Sequence, residues 1–155
     1  MSTEIAVRPK AAALPAITGT LDVMTLGKVL ASTGFFPDVR DQAQAVAKIL
    51  AGQELGFGPI ASLTGIYMQN GKFSYMANLI AAAIKKSGRY NFRVKTLTEN
   101  ECAIVFFEGT EECGVSTFTR KDAERAELMT GRNAHSWKHY PKNMLFARAI
   151  SNGAR

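Results

Sequence analysis

From Leu21 to Leu55 the apolar positions recur with a helical period. In DVMTLGKVLASTGFF they are Met24, Val29 and Leu30, and Gly34 and Pro37 then break the run. In DVRDQAQAVAKILAGQELG, Asp38 is the expected N-cap. Val39, Ala43, Val46, Ala47 and Leu50 follow it at i, i+4, i+7, i+8 and i+11, the spacing of one helix face. Gly56 marks the stop. GFGPIASLTG reads as a turn with one short helical turn. IYMQNGKFSYM reads as a hairpin, with Ile66 to Met68 outgoing, Asn70-Gly71 as the turn and Phe73 to Tyr75 returning. ANLIAAAIKKSG predicts a helix with Leu79, Ala82 and Ala83 inward, ending on Lys85 and Lys86 before Gly88.

Three strands follow. YNFRVKTLTE alternates Phe92, Val94 and Thr96 against Arg93, Lys95 and Leu97. CAIVFFEG is nearly continuous apolar sequence, which predicts a central strand. CGVSTFT puts Val115, Thr117 and Thr119 on one face. Glu99-Asn100 and Gly109-Thr110 supply the turns of an antiparallel meander. Thr119 to Thr130 predicts a helix capped by Thr119, with Asp122 in a capping-box position. TGRNAHS reads as a loop, and a final helix starts near Pro141. The fold class expected is α+β: a three-stranded antiparallel meander plus a β-hairpin, packed with several helices.

A chain of 155 residues makes one domain the prior and can bury a core without disulfides or metal. Residues 1–20 read as a flexible lead-in, a poor signal peptide interrupted by Pro15, and 21–155 as the folded core. The run NLIAAAI is too short to span a bilayer. Cys102 and Cys113 form no framework and no CxxC pair, so both read as reduced core or strand residues of a cytoplasmic protein, with a single bridge between neighbouring strands as the alternative.

Charge changes the picture most. The net charge is +6, which favours an anionic partner. Up to Ile84 the chain is nearly balanced. The excess sits in two windows without acid. KKSGRYNFRVK carries Lys85, Lys86, Arg89, Arg93 and Lys95. SWKHYPKNMLFARAISNGAR carries Lys138, Lys142, Arg148 and Arg155, with Arg132 before it. All eight acids of the intervening stretch lie between Glu99 and Glu127, interleaved with Lys121 and Arg125. Two basic windows separated by a meander can converge into one stripe along a phosphate backbone. Trp137 and Tyr140 stand among these cations, and aromatics stack on unpaired bases. Trp137 nevertheless reads as a core anchor, and Tyr140 is open to either role.

Catalytic signatures are missing. His135 and His139 have the i, i+4 spacing of a helical metal pair, but no HExxH and no third ligand accompany them. GFGPIA lacks the βαβ setting of a dinucleotide loop, and NGKFS lacks the P-loop spacing. No nucleophile, base and orienting group line up, so no ATP use, metal or other cofactor is inferred.

The order of parts from about Ala45 onward resembles the RecT/Redβ family of phage and prophage single-strand annealing proteins. The most specific piece is Trp137, Pro141, Lys142, Met144, Leu145, Arg148 and Ala149, followed by Ala154 and Arg155. It is similar to the family's W-x-x-x-P-K-x-M-L-x-x-K/R-A helix and the A-R pair that follows. Phe146 and Ala147 depart from it, standing where other members often carry basic or polar residues.

The resemblance implies the single-strand annealing protein core fold and ATP-independent annealing of complementary strands in recombination, without catalysis. It implies single-stranded DNA and an annealed duplex intermediate as ligands, a ring or filament of identical subunits, a partner exonuclease and a bacterial host cytoplasm. Lys142, Arg148 and Arg155 match groove-lining basic positions of the Redβ-like branch. Lys85, Lys86, Arg89, Arg93, Lys95, Lys121, Arg125 and Lys138 are DNA-contact candidates from charge pattern alone. Members of the family continue beyond the position of Arg155, which makes a chain truncated at its C-terminal end the expectation. Two other readings stand beside this one: an enzyme of DNA metabolism lacking its catalytic part, and a basic protein-binding module.

Overall fold

A computed structural model describes residues 20–155. The lead-in expected over residues 1–20 lies outside these, apart from Thr20, which begins α1 (Thr20–Ser32). The described residues form an α+β fold with seven α-helices, a two-stranded sheet and a three-stranded sheet, both antiparallel.

The N-terminal part packs α2 (Gln42–Glu54) against both α1 and α3 (Pro59–Gly65). Val23, Val39, Ala45, Ile49 and Leu63 form its core. The expected cap at Asp38 is corrected to Asp41, whose side chain accepts the Gln44 N–H. Asp38 instead pairs with Lys48. The buried face of α2 differs from the one expected: Ala45, Lys48, Ile49 and Gly52 point inward, while Ala43 and Leu50 are exposed. Two contacts set this rotation. Lys48 is neutralised on the inner side, and Gly52 lets α3 approach so closely that a Cβ there would lie 1.8 Å from Ser62 Oγ. In α1 it is Val23 that is buried, with Met24 and Val29 exposed.

The hairpin forms as the sequence predicts. β1 (Ile66–Gln69) pairs with β2 (Lys72–Tyr75) through Asn70-Gly71. Both turn residues have positive φ, 52° and 74°, the backbone of a type I′ turn. Next comes α4 (Ala77–Lys86). Leu79 is buried against Gly65, and Ile80, Ala81 and Ile84 face the main core. Ala82 is exposed rather than inward. Ala82 lies on one stripe with Asn78, Lys85 and Lys86, at i, i+4, i+7 and i+8, and that polar stripe is the exposed face of the helix.

The meander is β3 (Tyr90–Leu97), β4 (Glu101–Glu108) and β5 (Glu111–Thr119), with β4 central as expected. Lys95 and Cys113 are the extra residues of two bulges. Phe92, Cys102, Ile104, Phe106 and Phe118 face the main core. Both cysteines are free, Cys102 buried and Cys113 exposed. Burial, with Glu101 adding to it, pushes the Cys102 thiol above its ordinary pKa.

The helix expected from Thr119 to Thr130 is shorter, α5 (Arg120–Arg125). Its capping box forms in both directions between Thr119 and Asp122. A Schellman closure ends it, Leu128 N–H to Ala123 O and Glu127 N–H to Glu124 O, with Glu127 at φ 53°. TGRNAHS is helical rather than a loop, a 3-10 turn (Gly131–Asn133) running into α6 (Ala134–His139). α7 (Pro141–Gly153) starts on the expected proline. Trp137, Leu145, Ala149 and Ile150 are fully buried on the sheet. Ser116 Oγ donates to Ala149 O at 2.8 Å, and α7 comes so close at Gly153 that a Cβ there would meet the Phe106 ring at 2.2 Å.

Candidate nucleic-acid interface

The first basic window begins where α4 ends, and exposed helix carbonyls favour cations there. Its members then part company. Lys86 Nζ donates to Gly56 O and lies 5.3 Å from the centre of the Phe57 ring, so it ties α4 to the turn between α2 and α3. Lys85 stays exposed, 4.9 Å over the Phe92 ring. Arg89 pairs with Glu108 across the β3–β4 ladder and lies 5.2 Å over the Tyr90 ring. The Glu108 hydrogen bond and charge raise the Arg89 pKa above its ordinary value. Arg93 stands 5.3 Å over the Phe107 ring. Because Phe92 and Phe106 point into the core, alternation sends Arg93 and Phe107 to the opposite face of the sheet. Lys95 is exposed in its bulge. The window therefore divides between two faces.

On α5, Arg125 lies 3.7 Å from Asp122, while Lys121 is exposed with no ion pair among the described residues. On α6 and α7 the cations are unopposed. Lys138, Lys142, Arg148 and Arg155 have no carboxylate partner among the described residues, and no acidic side chain follows Glu127. Lys138, Lys142 and Arg155 are exposed and Arg148 is half-buried. At 3.6 residues per turn, Arg148 lies about 120° round the helix from Lys142. Arg155 follows Arg148 by seven residues, close to two turns, and so continues the Arg148 flank just past the helix end. The three positions matched to the annealing-protein helix thus form two lines. Lys142 stands roughly 17 Å of helix rise from the Arg155 end. The exposed rings of His135 and His139 lie 4.3 Å apart on α6, tilted by 41°, and Tyr140 is exposed next to them. Among the described residues no three His, Cys, Asp or Glu side chains group as metal ligands.

Each basic window contributes charge to one of two neighbouring clefts. A cleft of about 570 Å³ lies at the ends of α4 and α7, lined by Ala83, Ile84, Tyr90, Phe106, Gly114 and Arg155 among others. A smaller one of about 320 Å³ is lined by Lys85, Gly88, Arg89, Tyr90, Asn91 and Gly109. Tyr90 belongs to both, so the cleft that Arg155 lines and the one that Lys85 and Arg89 line share a wall. Lys138, Lys142 and Arg148, Lys121 and Arg125, Arg93 and Lys95, and Lys86 line neither cleft.

Reading the sequence for charge finds the cations but not Tyr90, Phe106 or Gly114. The signal available for Gly114 is a glycine inside a strand pattern, which marks a bulge or a close approach. No helix among the described residues is long and apolar enough to cross a membrane. Compared with known proteins, the chain matches no family model, no curated protein and no solved structure.

Proposed function

We propose that the protein is a non-catalytic single-stranded DNA-binding protein that anneals complementary strands without ATP in phage or prophage recombination. One observation carries the reading: Lys138, Lys142, Arg148 and Arg155 sit on α6, α7 and the residues just after, with no carboxylate among the described residues to neutralise them. Uncompensated cations on an ordered scaffold favour a polyanion, and their release of counterions drives binding to nucleic acid. The α+β arrangement of hairpin, meander and closing helix supports the annealing-protein core fold that the W-x-x-x-P-K-x-M-L motif resembles. On this reading the protein works as a ring or filament in the bacterial cytoplasm, beside a partner exonuclease, and needs no cofactor.

The test mixes two complementary dye-labelled oligonucleotides with the protein in the absence of nucleotide and metal. Faster energy transfer than without protein is expected, with both strands intact at the end. No acceleration and no retention of either strand on a gel would overturn the reading. Degradation of labelled strands once Mg²⁺ is added would favour an enzyme of DNA metabolism.

A further inference from the structure

Gly114 is the unusual residue of β5. It faces Phe106 on β4 in the register, next to the Cys113 bulge. A Cβ built there meets nothing within 4 Å, so its missing side chain leaves open space over the sheet. That space is the larger cleft, which Gly114 lines with Phe106, Tyr90, Ala83 and Ile84. The cleft is therefore walled mainly by apolar and aromatic residues, and its volume of about 570 Å³ falls within the range of small-molecule sites. Its surroundings are cationic. Arg155 lines it directly, and Lys85 and Arg89 line the adjoining cleft across the shared Tyr90. Glu108 neutralises Arg89 in part, and Lys85 and Arg155 have no carboxylate partner among the described residues.

A flat apolar group joined to an anion is the ligand these features fit. The aromatic walls offer a stacking surface, and the cations offer charge for the attached phosphate. A purely apolar ligand would leave Lys85 and Arg155 unused, and a bare phosphate would leave the cleft unfilled. We infer that this cleft takes one unpaired base of a bound single strand, with its phosphates held by Lys85 and Arg155. The inference rests on the single-strand binding reading and adds to it a base-binding subsite, where contacts to the backbone alone would leave every base free. The subsite is tolerant of base identity, because every base has a face to stack.

The experiment compares an oligothymidylate with an abasic oligomer of equal length on the full chain, by fluorescence anisotropy at fixed salt. The oligothymidylate is expected to bind about tenfold more tightly. Gly114→Leu fills the open space and should lower oligothymidylate affinity to the abasic level, leaving abasic binding as in the parent. Tyr90→Ser, at a half-exposed position at the start of β3, serves as a second variant with the same expected outcome. Equal affinity of the parent for the two oligomers would overturn the base subsite while leaving single-strand binding intact. Binding of neither oligomer would overturn the single-strand reading itself, and the subsite with it. Weaker binding of both oligomers by both variants, with unchanged thermal midpoints, would assign these residues to the backbone path and also overturn the subsite.

Discussion

Lys48, with a side chain only 1 % exposed, is held by the half-exposed carboxylate of Asp38. The pair fastens the turn before α2, where Val39 N–H bonds to Phe36 O at 2.9 Å, onto the helix it precedes. Breaking a buried pair by removing one partner leaves an uncompensated charge, whereas an apolar replacement of that charge is often neutral. Lys48→Met is therefore expected to change unfolding stability little. Asp38→Ala should cost about 1–3 kcal/mol, below the usual loss for a fully buried pair because water reaches Asp38. Urea unfolding of both variants measures this. A larger loss for Lys48→Met than for Asp38→Ala would count against the account.

Trp137 is the chain's only tryptophan and is 2 % exposed. Its indole Nε1 has no hydrogen-bond partner among the described residues. It packs α6 into the main core and cannot stack on a base. Its emission should be blue-shifted and should stay unchanged on adding single-stranded DNA, up to saturation. Trp137→Ala is expected to cost about 3–5 kcal/mol. Trp137→Phe should cost clearly less, since it keeps a ring and removes an unpaired buried donor. DNA-dependent quenching of Trp137 would move it from the core to the binding surface.

Asp122 links acid stability to the start of α5. Its carboxylate accepts the Thr119 Oγ–H at 2.6 Å and the Thr119 N–H at 2.9 Å. These bonds, side chain first, hold its pKa below the ordinary carboxylate value, and Arg125 adds to them. The folded state thus binds this proton less readily than the unfolded one. The stability contributed is present above the unfolded value of about 4 and is lost as pH falls through the lower folded value. Asp122→Asn should lower the thermal midpoint at neutral pH, and the gap to the parent should narrow as pH falls below about 4. A gap that stays constant across that range would exclude the titration of Asp122 as its cause.

How much of this was legible depends on what kind of contact fixed each element. Asn70-Gly71, Pro141 and the Thr119–Asp122 pair carry their structural instruction locally, and the hairpin, α7 and the cap of α5 stand where they predict. The buried face of α2 was decided by partners distant in sequence, whereas that of α4 lies opposite its own polar stripe of Asn78, Lys85 and Lys86. Ser62 against Gly52 and Asp38 against Lys48 have no signature in a helical period. The Schellman closure at Glu127 was hidden because a glutamate takes the backbone conformation that glycine usually announces. The basic windows were plain in the sequence. Their division was not, because whether Lys86 meets solvent or Gly56 O depends on a turn thirty residues earlier. Gly114 belongs to the same class, a gap defined by what lies across from it.

That division separates cations that can serve a phosphate from those already occupied, and salt dependence reads the difference. Lys142 and Arg148 have no carboxylate partner among the described residues, whereas Lys86 is bonded to Gly56 O. Each phosphate contact to a single strand contributes about −0.7 to the slope of log affinity against log salt. The Lys142→Gln, Arg148→Gln double variant is expected to flatten that slope by about 1.4, two such contacts, with an unchanged thermal midpoint. Lys86→Gln should do the opposite, lowering the midpoint through the lost tie between α4 and the α2–α3 turn while leaving the slope near that of the parent. Titrations of one oligonucleotide at several salt concentrations, paired with thermal melts, give both quantities. An unchanged slope in the double variant would remove α7 from the binding surface, whatever the affinity itself does. A flattened slope in Lys86→Gln would return that residue to the surface and show that its bond to Gly56 yields to a phosphate.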